Sequence, residues 1–203
     1  MNQSLTRIAG VVLAGGMSRR FGTNKLLAKL GDKPLIRIVT EAALASNLAR
    51  LFVVLGHEAN RVGVALDDDP RLQSVINPDF ATGQASTVTA GLRATQGDFN
   101  AVMFLMGDQP LLGSAIINAL IDTFQASDKE ICYPSHGGKR RNPVIFDKCF
   151  FPEILSLTGD TGARAIIDAN PDRACVLEQS DAAPFRDVDR ESDLAALIGE
   201  PDP

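Results

Sequence analysis

The chain has 203 residues, 45% hydrophobic and 22% charged, with 20 Lys and Arg against 25 Asp and Glu and a net charge of −5. That length predicts one domain over 1–203, with a core at about 8–198, able to bury its apolar surface without covalent staples. The acidic balance argues against a general nucleic-acid binder, and no apolar run approaches the ~20 residues of a membrane span.

Three scattered cysteines without a Cys-x-x-Cys pair suggest neither a zinc site nor a disulfide framework, which fits a cytoplasmic protein.

Ile8 to Ala14 is an apolar run closed by Gly15 and Gly16 and predicts a buried first strand. Asp32 is placed to cap a helix with Pro34 in its first turn, and Leu35, Ile36, Ile38, Val39, Ala42 and Ala43 mark its apolar face. LFVVLG (51–56) predicts a second strand, 58–66 a short helix, 67–71 a turn and 73–77 a third strand. A polar loop, NPDFATGQAS (77–86), opens a helix over about 85–95. AVMFLM (101–106) is the most hydrophobic strand; GDQP (107–110) ends it and a helix follows at about 113–126. ICYP (131–134) and NPVIF (142–146) predict two strands around a Gly-Gly turn, with helices near 150–157 and 162–169. ACVLE and FRDVD predict late strands and SDLAALI a closing helix, after which GEPDP is expected to fray. Strands alternating with helices predict an α/β fold in three layers, Rossmann-like, around a mostly parallel sheet.

The loop after the first strand carries the most chemistry. Glycine lets a ligand approach backbone N–H groups closely, a common phosphate device. Arg19, Arg20, Lys25 and Lys29 form one cationic group, and Lys139, Arg140 and Arg141 a second. Two such groups beside turn glycines on an acidic chain suggest local sites for anionic small molecules. The P-loop is excluded, because five residues separate Gly16 from Gly22 and Thr23-Asn24 precede Lys25. The dinucleotide fingerprint fails as well, because Gly15 and Gly16 are adjacent.

Asp108 follows the most apolar strand at its carboxyl end, the edge where ligands gather in open α/β sheets, and Pro110 fixes the bend. Asp98 precedes that strand and is expected at the opposite end. Asp187 and Asp189 alternate along a predicted strand and so would share a face. Arg164 is expected to pair with Asp160 or Asp168. His57 and His136 lack metal-like spacing.

LAGG (13–16), Arg20-Phe21-Gly22, Lys25 and GDKPLI (31–36) together resemble the nucleotidyltransferases that activate sugars and cofactors with a nucleoside triphosphate. The nearest branch attaches a nucleotide to molybdopterin, and the resemblance runs from about Ile8 to Ile198. It implies that Leu13, Ala14, Gly15, Gly16 and Gly22 shape a triphosphate pocket that Arg20 and Lys25 neutralise. MGDQPLL (106–112) resembles the segment whose aspartate, here Asp108, coordinates Mg2+. The late segment resembles an Asp-x-Asp or Asn-x-Asn motif and makes Asp189 the better second metal residue. NPDFATGQAST (77–87) resembles the loop flanking base and sugar, which implies that Asn77 and Ser86 bind nucleotide.

Residues 138–167 resemble the cytidylyl branch, with Asn142 where its members often have His. That branch often has Ala-Ala-Gly where this chain has Ala14-Gly15-Gly16, and Leu-Ala-Gly-Gly is more typical of the guanylyl branch. The longer segment carries more weight than one methyl group. The implied activity is Mg2+-dependent transfer of CMP from CTP to molybdopterin, releasing pyrophosphate, with Arg20, Lys25 and Asp108 catalytic. The alternatives are GTP as donor, another phosphorylated acceptor, or a non-enzymatic chaperone that hands molybdenum cofactor to a molybdoenzyme. The chemistry suits the residues: both substrates are anions, so fixed cations and a divalent ion must offset repulsion and leaving-group charge. No covalent nucleophile is needed.

Overall fold

The computed structural model describes residues 7–199 except Gln96 and Asp98. Asp98 and the chain end beyond Gly199, both subjects of expectations above, lie outside the described residues. In chain order the elements are β1 (Ile8–Ala14), the hairpin β2 (Lys29–Leu30) and β3 (Lys33–Pro34), α1 (Leu35–Leu44), β4 (Arg50–Leu55), α2 (Ala59–Val64) and β5 (Leu72–Ile76). They continue with α3 (Gln84–Ala94), β6 (Ala101–Met106), α4 (Ser114–Ala126), β7 (Ile131–His136), β8 (Lys139–Arg140) and β9 (Val144–Asp147). The last are α5 (Phe151–Leu155), α6 (Arg164–Ala169), β10 (Ala174–Glu178) and α7 (Glu191–Gly199). Among the described residues, no helix is long and apolar enough to cross a membrane.

The main sheet runs β10-β7-β9-β6-β1-β4-β5, with β8 paired to β7. β1 lies between β4 and β6 and is parallel to both, whereas β9 is antiparallel to β6 and β7. The fold is therefore the expected three-layer, Rossmann-like one with a single internal strand reversed. β1 explains the layering. Ile8, Val12 and Ala14 pack with Ile36, Val62 and Ile117 on one face, while Ala9 and Val11 pack with Val88, Leu92 and Ile154 on the other. A strand buried on both faces reads as a continuous apolar run, which is what IAGVVLA shows. Gly91 brings α3 close: a Cβ there would stand 2.4 Å from Val11 Cγ1.

A third apolar cluster joins distant parts of the chain. Phe21, from the loop after β1, packs with Leu35, Val188 and Leu197. That contact holds the first loop against the segment carrying Asp187 and Asp189.

Three local expectations are corrected. Asp32 does not cap α1; with Gly31, at φ +62°, it makes the tight turn of the β2–β3 hairpin, and α1 begins after Pro34 without a side-chain cap. The Gly-Gly turn joins β7 to the short β8, not directly to the NPVIF strand. Residues 185–189 are not a strand. Both edges of β6 are already taken by β1 and β9, so the backbone of the segment meets the loop beyond β6 instead, through Val188 N–H to the Asp108 carbonyl at 2.9 Å.

Candidate active site

The site sits at the carboxyl ends of β1 and β6. Asn24, almost fully buried, aims Lys25 inward. Its Oδ1 accepts the Leu26 N–H, its Nδ2 donates to the His57 carbonyl at 3.3 Å, and the Lys25 N–H donates to Ser18 Oγ at 3.2 Å. Gly22, at φ +83°, lets the loop reverse while Phe21 stays buried.

Lys25 Nζ lies 2.5 Å from Asp108 Oδ2 and 2.7 Å from Asp189 Oδ1, and Arg20 Nη1 lies 3.4 Å from Asp189 Oδ2. The Lys25 and Asp108 side chains are 14% and 13% exposed, against 72% for Arg20. The first pair is thus little screened, while the Arg20 contact is a solvated one worth little to stability. Burial opposes the charge on Lys25, but Asp108 and Asp189 outweigh it and hold its pKa above the ordinary lysine value. The hydrogen bond from Lys25 holds Asp189 below the usual carboxylate range. Burial, then the charge of Asp108, pushes Asp187 above it, against a hydrogen bond from Gln109 Nε2 to Asp187 Oδ1 at 2.8 Å.

These groups open onto one cavity of about 680 Å³ lined by Leu13, Ala14, Gly15, Gly16, Arg19, Arg20, Lys25, Asp108 and Asp189. Phe80, Gln84 and Thr87 also line it, three residues that sequence reasoning did not single out. The signal for Thr87 is tertiary: a Cβ on Gly15 would stand 2.7 Å from Thr87 Oγ1, so the first glycine of the pair leaves room for the α3 hydroxyl.

Gly22, Asn77 and Ser86 do not line this cavity. Asn77 is 3% exposed and donates from Nδ2 to Ser86 Oγ at 3.0 Å and Thr87 Oγ1 at 3.2 Å. Ser86 Oγ in turn donates to the Gly83 carbonyl at 2.9 Å. Asn77 and Ser86 brace the start of α3 and border a separate depression beside β5.

A second cavity of about 800 Å³ adjoins the first, sharing Leu13, Gln84 and Met106. Its floor is apolar, from Val88, Phe104, Val144, Phe146 and Ile167. Lys139, Arg140, Arg141 and Arg164 supply cations, and Gln109, Asn142 and Asp187 face it too. Arg140 and Arg164 pair with Asp168 at 2.8 and 3.8 Å, the latter as expected from the sequence. Arg141 Nε and Gln109 Oε1 are buried with no hydrogen-bond partner among the described residues.

Asp108 Oδ1 is likewise buried and unpartnered. An acceptor-only oxygen at the cavity wall, beside a second carboxylate, fits a hard divalent cation, which takes one or two carboxylates and completes its shell with water and phosphate. Among the described residues, no group of three or more His, Cys, Asp or Glu converges as a metal cage.

A mostly parallel sheet whose strand ends carry a glycine loop, fixed cations and a cation-seeking carboxylate is the architecture of a nucleotidyltransferase. Residues 10–174 match the model of the MobA-like NTP transferase domain, and the chain belongs to that family. It is 30% identical over 190 residues to the purine catabolism protein PucB of Bacillus subtilis, covering 90% of this chain and 91% of that one. It is 31% identical over 126 residues to a probable molybdenum cofactor guanylyltransferase of Thermococcus sibiricus, covering 62% and 60%. Among solved structures, Rv0371c of Mycobacterium tuberculosis H37Rv superposes with a TM-score of 0.85 at 26% identity, covering 97% of this chain and all of that one (100%).

Proposed function

We propose that this protein transfers CMP from CTP to molybdopterin and releases pyrophosphate. The observation that carries the reading is the convergence of Lys25, Arg20, Asp108 and Asp189 on one cavity, although they come from three separate segments. The first cavity takes the nucleotide. Lys25 and Arg20 bind the triphosphate, with Arg20 free to reach two oxygens at once. The backbone at Gly15 and Gly16 admits the phosphates closely. Mg2+ bound by Asp108 and Asp189 would neutralise charge on the phosphates and the leaving pyrophosphate. Against burial, Asp108 and Asp189 hold the Lys25 pKa above the ordinary lysine value, which favours its cationic form.

The adjoining cavity takes the acceptor. Its apolar floor suits a flat ring system, and Arg140, Arg141, Lys139 and Arg164 suit an anionic group. The shared wall at Leu13, Gln84 and Met106 brings acceptor phosphate and α-phosphorus together, so attack needs positioning and charge compensation but no covalent enzyme intermediate.

Guanylyl transfer is the second reading, favoured by Gly15 in Leu-Ala-Gly-Gly and by the guanylyltransferase relative. The test is pyrophosphate release with molybdopterin and Mg2+ against each of the four ribonucleoside triphosphates. Release with CTP is expected. Release with GTP alone selects the second reading. Release only with other phosphorylated acceptors replaces molybdopterin. Tight molybdopterin binding without release from any nucleotide identifies a chaperone instead.

A further inference from the structure

A pair of thiols lies outside both cavities. β10 forms one edge of the main sheet, parallel to β7, and the register sets Cys175 directly against Cys132. Paired residues on neighbouring strands send their side chains to the same face, about 4.8 Å apart. Here that face is the one covered by α4. Cys132 is buried with Sγ 3.9 Å from the Leu120 carbonyl, and Cys175 is half-buried with Sγ 3.4 Å from the Ile131 carbonyl. The influence of each thiol on its neighbour draws Cys175 down to about 6 and pushes Cys132 up. The thiolate therefore forms on the more accessible member. Cys149 is the contrast: it is exposed beside Arg173, yet burial of its sulfur and Asp147 push it up.

We propose that Cys132 and Cys175 are a peroxide-responsive pair that closes reversibly into an intramolecular disulfide. The Cys175 sulfur attacks one oxygen of hydrogen peroxide; the O–O bond breaks, giving sulfenic acid and hydroxide. The Cys132 sulfur then displaces the sulfenic oxygen, which leaves as water, and the proton released from Cys175 neutralises the hydroxide. In sum, two thiols and one peroxide give one disulfide and two waters, and two electrons pass from the sulfurs to the peroxide. Disulfide Cβ atoms sit about 3.8 Å apart, closer than the strand spacing, so closure must draw the edge strand inward. Among the described residues β10 has no strand on its outer side and can yield. A bond formed under such tension is readily reduced. The pair sits near the amino ends of its strands, away from the cavities, so the proposal stands apart from the assigned reaction.

The test exposes the full chain to stoichiometric hydrogen peroxide at neutral pH, alkylates the remaining thiols, and maps the peptides by mass spectrometry. The expected result is a Cys132–Cys175 link within one molecule, lighter by two hydrogens, with Cys149 alkylated and the link lost to dithiothreitol. Cys149→Ser should form the same link. Cys132→Ala should instead leave a sulfenic acid on Cys175 that dimedone traps. Alkylation of both Cys132 and Cys175 after peroxide, earlier loss of Cys149, or a link between molecules would each overturn the proposal.

Discussion

Lys25 and Asp108 stand 83 positions apart in the chain, yet Nζ and Oδ2 meet at 2.5 Å in a pocket that leaves both side chains about one-seventh exposed. The same ammonium reaches Asp189 at 2.7 Å, so one cation is shared by two carboxylates. A polyphosphate entering the cavity meets a lysine already pointed into it.

The first prediction concerns the two cations. Loss of one well-aimed donor to a developing charge costs about 2.7–4 kcal/mol, roughly a hundred- to a thousandfold in rate. Arg20→Ala and Lys25→Ala should each lose that much in pyrophosphate release, with the circular dichroism spectrum unchanged. They should differ in stability. Arg20 is 72% exposed, so its removal should leave the melting temperature where it is. Removal of Lys25 leaves Asp108 and Asp189 facing each other uncompensated and should lower it. Near-normal turnover in either variant would remove that residue from the mechanism.

The second concerns the metal. Lys25 and a divalent ion compete for oxygens of the same two carboxylates. Metal alone should bind the wild type weakly, and Lys25→Met should bind Mn2+ without nucleotide at least several-fold more tightly, as read by electron paramagnetic resonance. Asp108→Asn should lose both activity and its dependence on Mg2+. An Asp108→Asn enzyme still stimulated normally by Mg2+ would exclude Asp108 as its ligand.

Asp108 was legible in position because it stands in the turn directly beyond β6, whereas Arg20 and Lys25 lie six and eleven residues beyond the end of β1. Lys25 is aimed by Asn24, whose Nδ2 donates to the His57 carbonyl, a contact outside its own loop. The pairing of Arg20 and Lys25 with Asp189 depends on Phe21 packing against Val188, a contact no local window contains. Residues 185–189 alternate like a strand but find no free edge, because β9 inserts beside β6. Asn77 and Ser86 lie in the loop the family resemblance marks, yet their side chains satisfy each other under α3. The second cavity draws on six segments of the chain, from β1 to the loop before α7, and although Lys139–Arg141, Asn142, Arg164 and Asp187 were each noticed, nothing local shows that they meet.

The third prediction bears on the methyl group that separates Leu-Ala-Gly-Gly from Ala-Ala-Gly. A Cβ at Gly15 meets Thr87 Oγ1 at 2.7 Å and Thr87 Cγ2 at 3.3 Å, whereas one at Gly16 meets nothing within 4 Å. Gly15→Ala should therefore lower stability and weaken nucleotide binding, and Gly16→Ala should leave the melting temperature unchanged. Thr87→Ala in the Gly15→Ala background should recover much of the stability loss, giving a favourable coupling in a double-mutant cycle. Additive losses would mean that Thr87 is not the obstacle. The same double variant, run with CTP and GTP, shows whether that methyl group bears on donor choice.

The fourth prediction separates two neighbouring carboxylates by pH. Asp187 is raised in the fold, by burial and then by Asp108. A carboxyl with a higher folded than unfolded pKa favours the fold while protonated; that contribution is complete below about 3.8 and is lost as pH rises through the folded value. Asn stays neutral at every pH and its Oδ1 still accepts from Gln109. Asp187→Asn should thus melt above the wild type at pH 7 and converge with it below the unfolded carboxyl range. Asp189 is lowered, chiefly by the hydrogen bond from Lys25. Its contribution is present above about 3.8 and is lost as pH falls through the folded value, so Asp189→Asn should melt below the wild type at pH 7 and lose that difference in acid. Melting curves of the three proteins in chelator, from pH 3 to 8, decide the matter. If the two variants shift the same way at pH 7, the carboxylates do not occupy the opposed electrostatic settings that place Asp189 on Lys25 and Asp187 against Asp108.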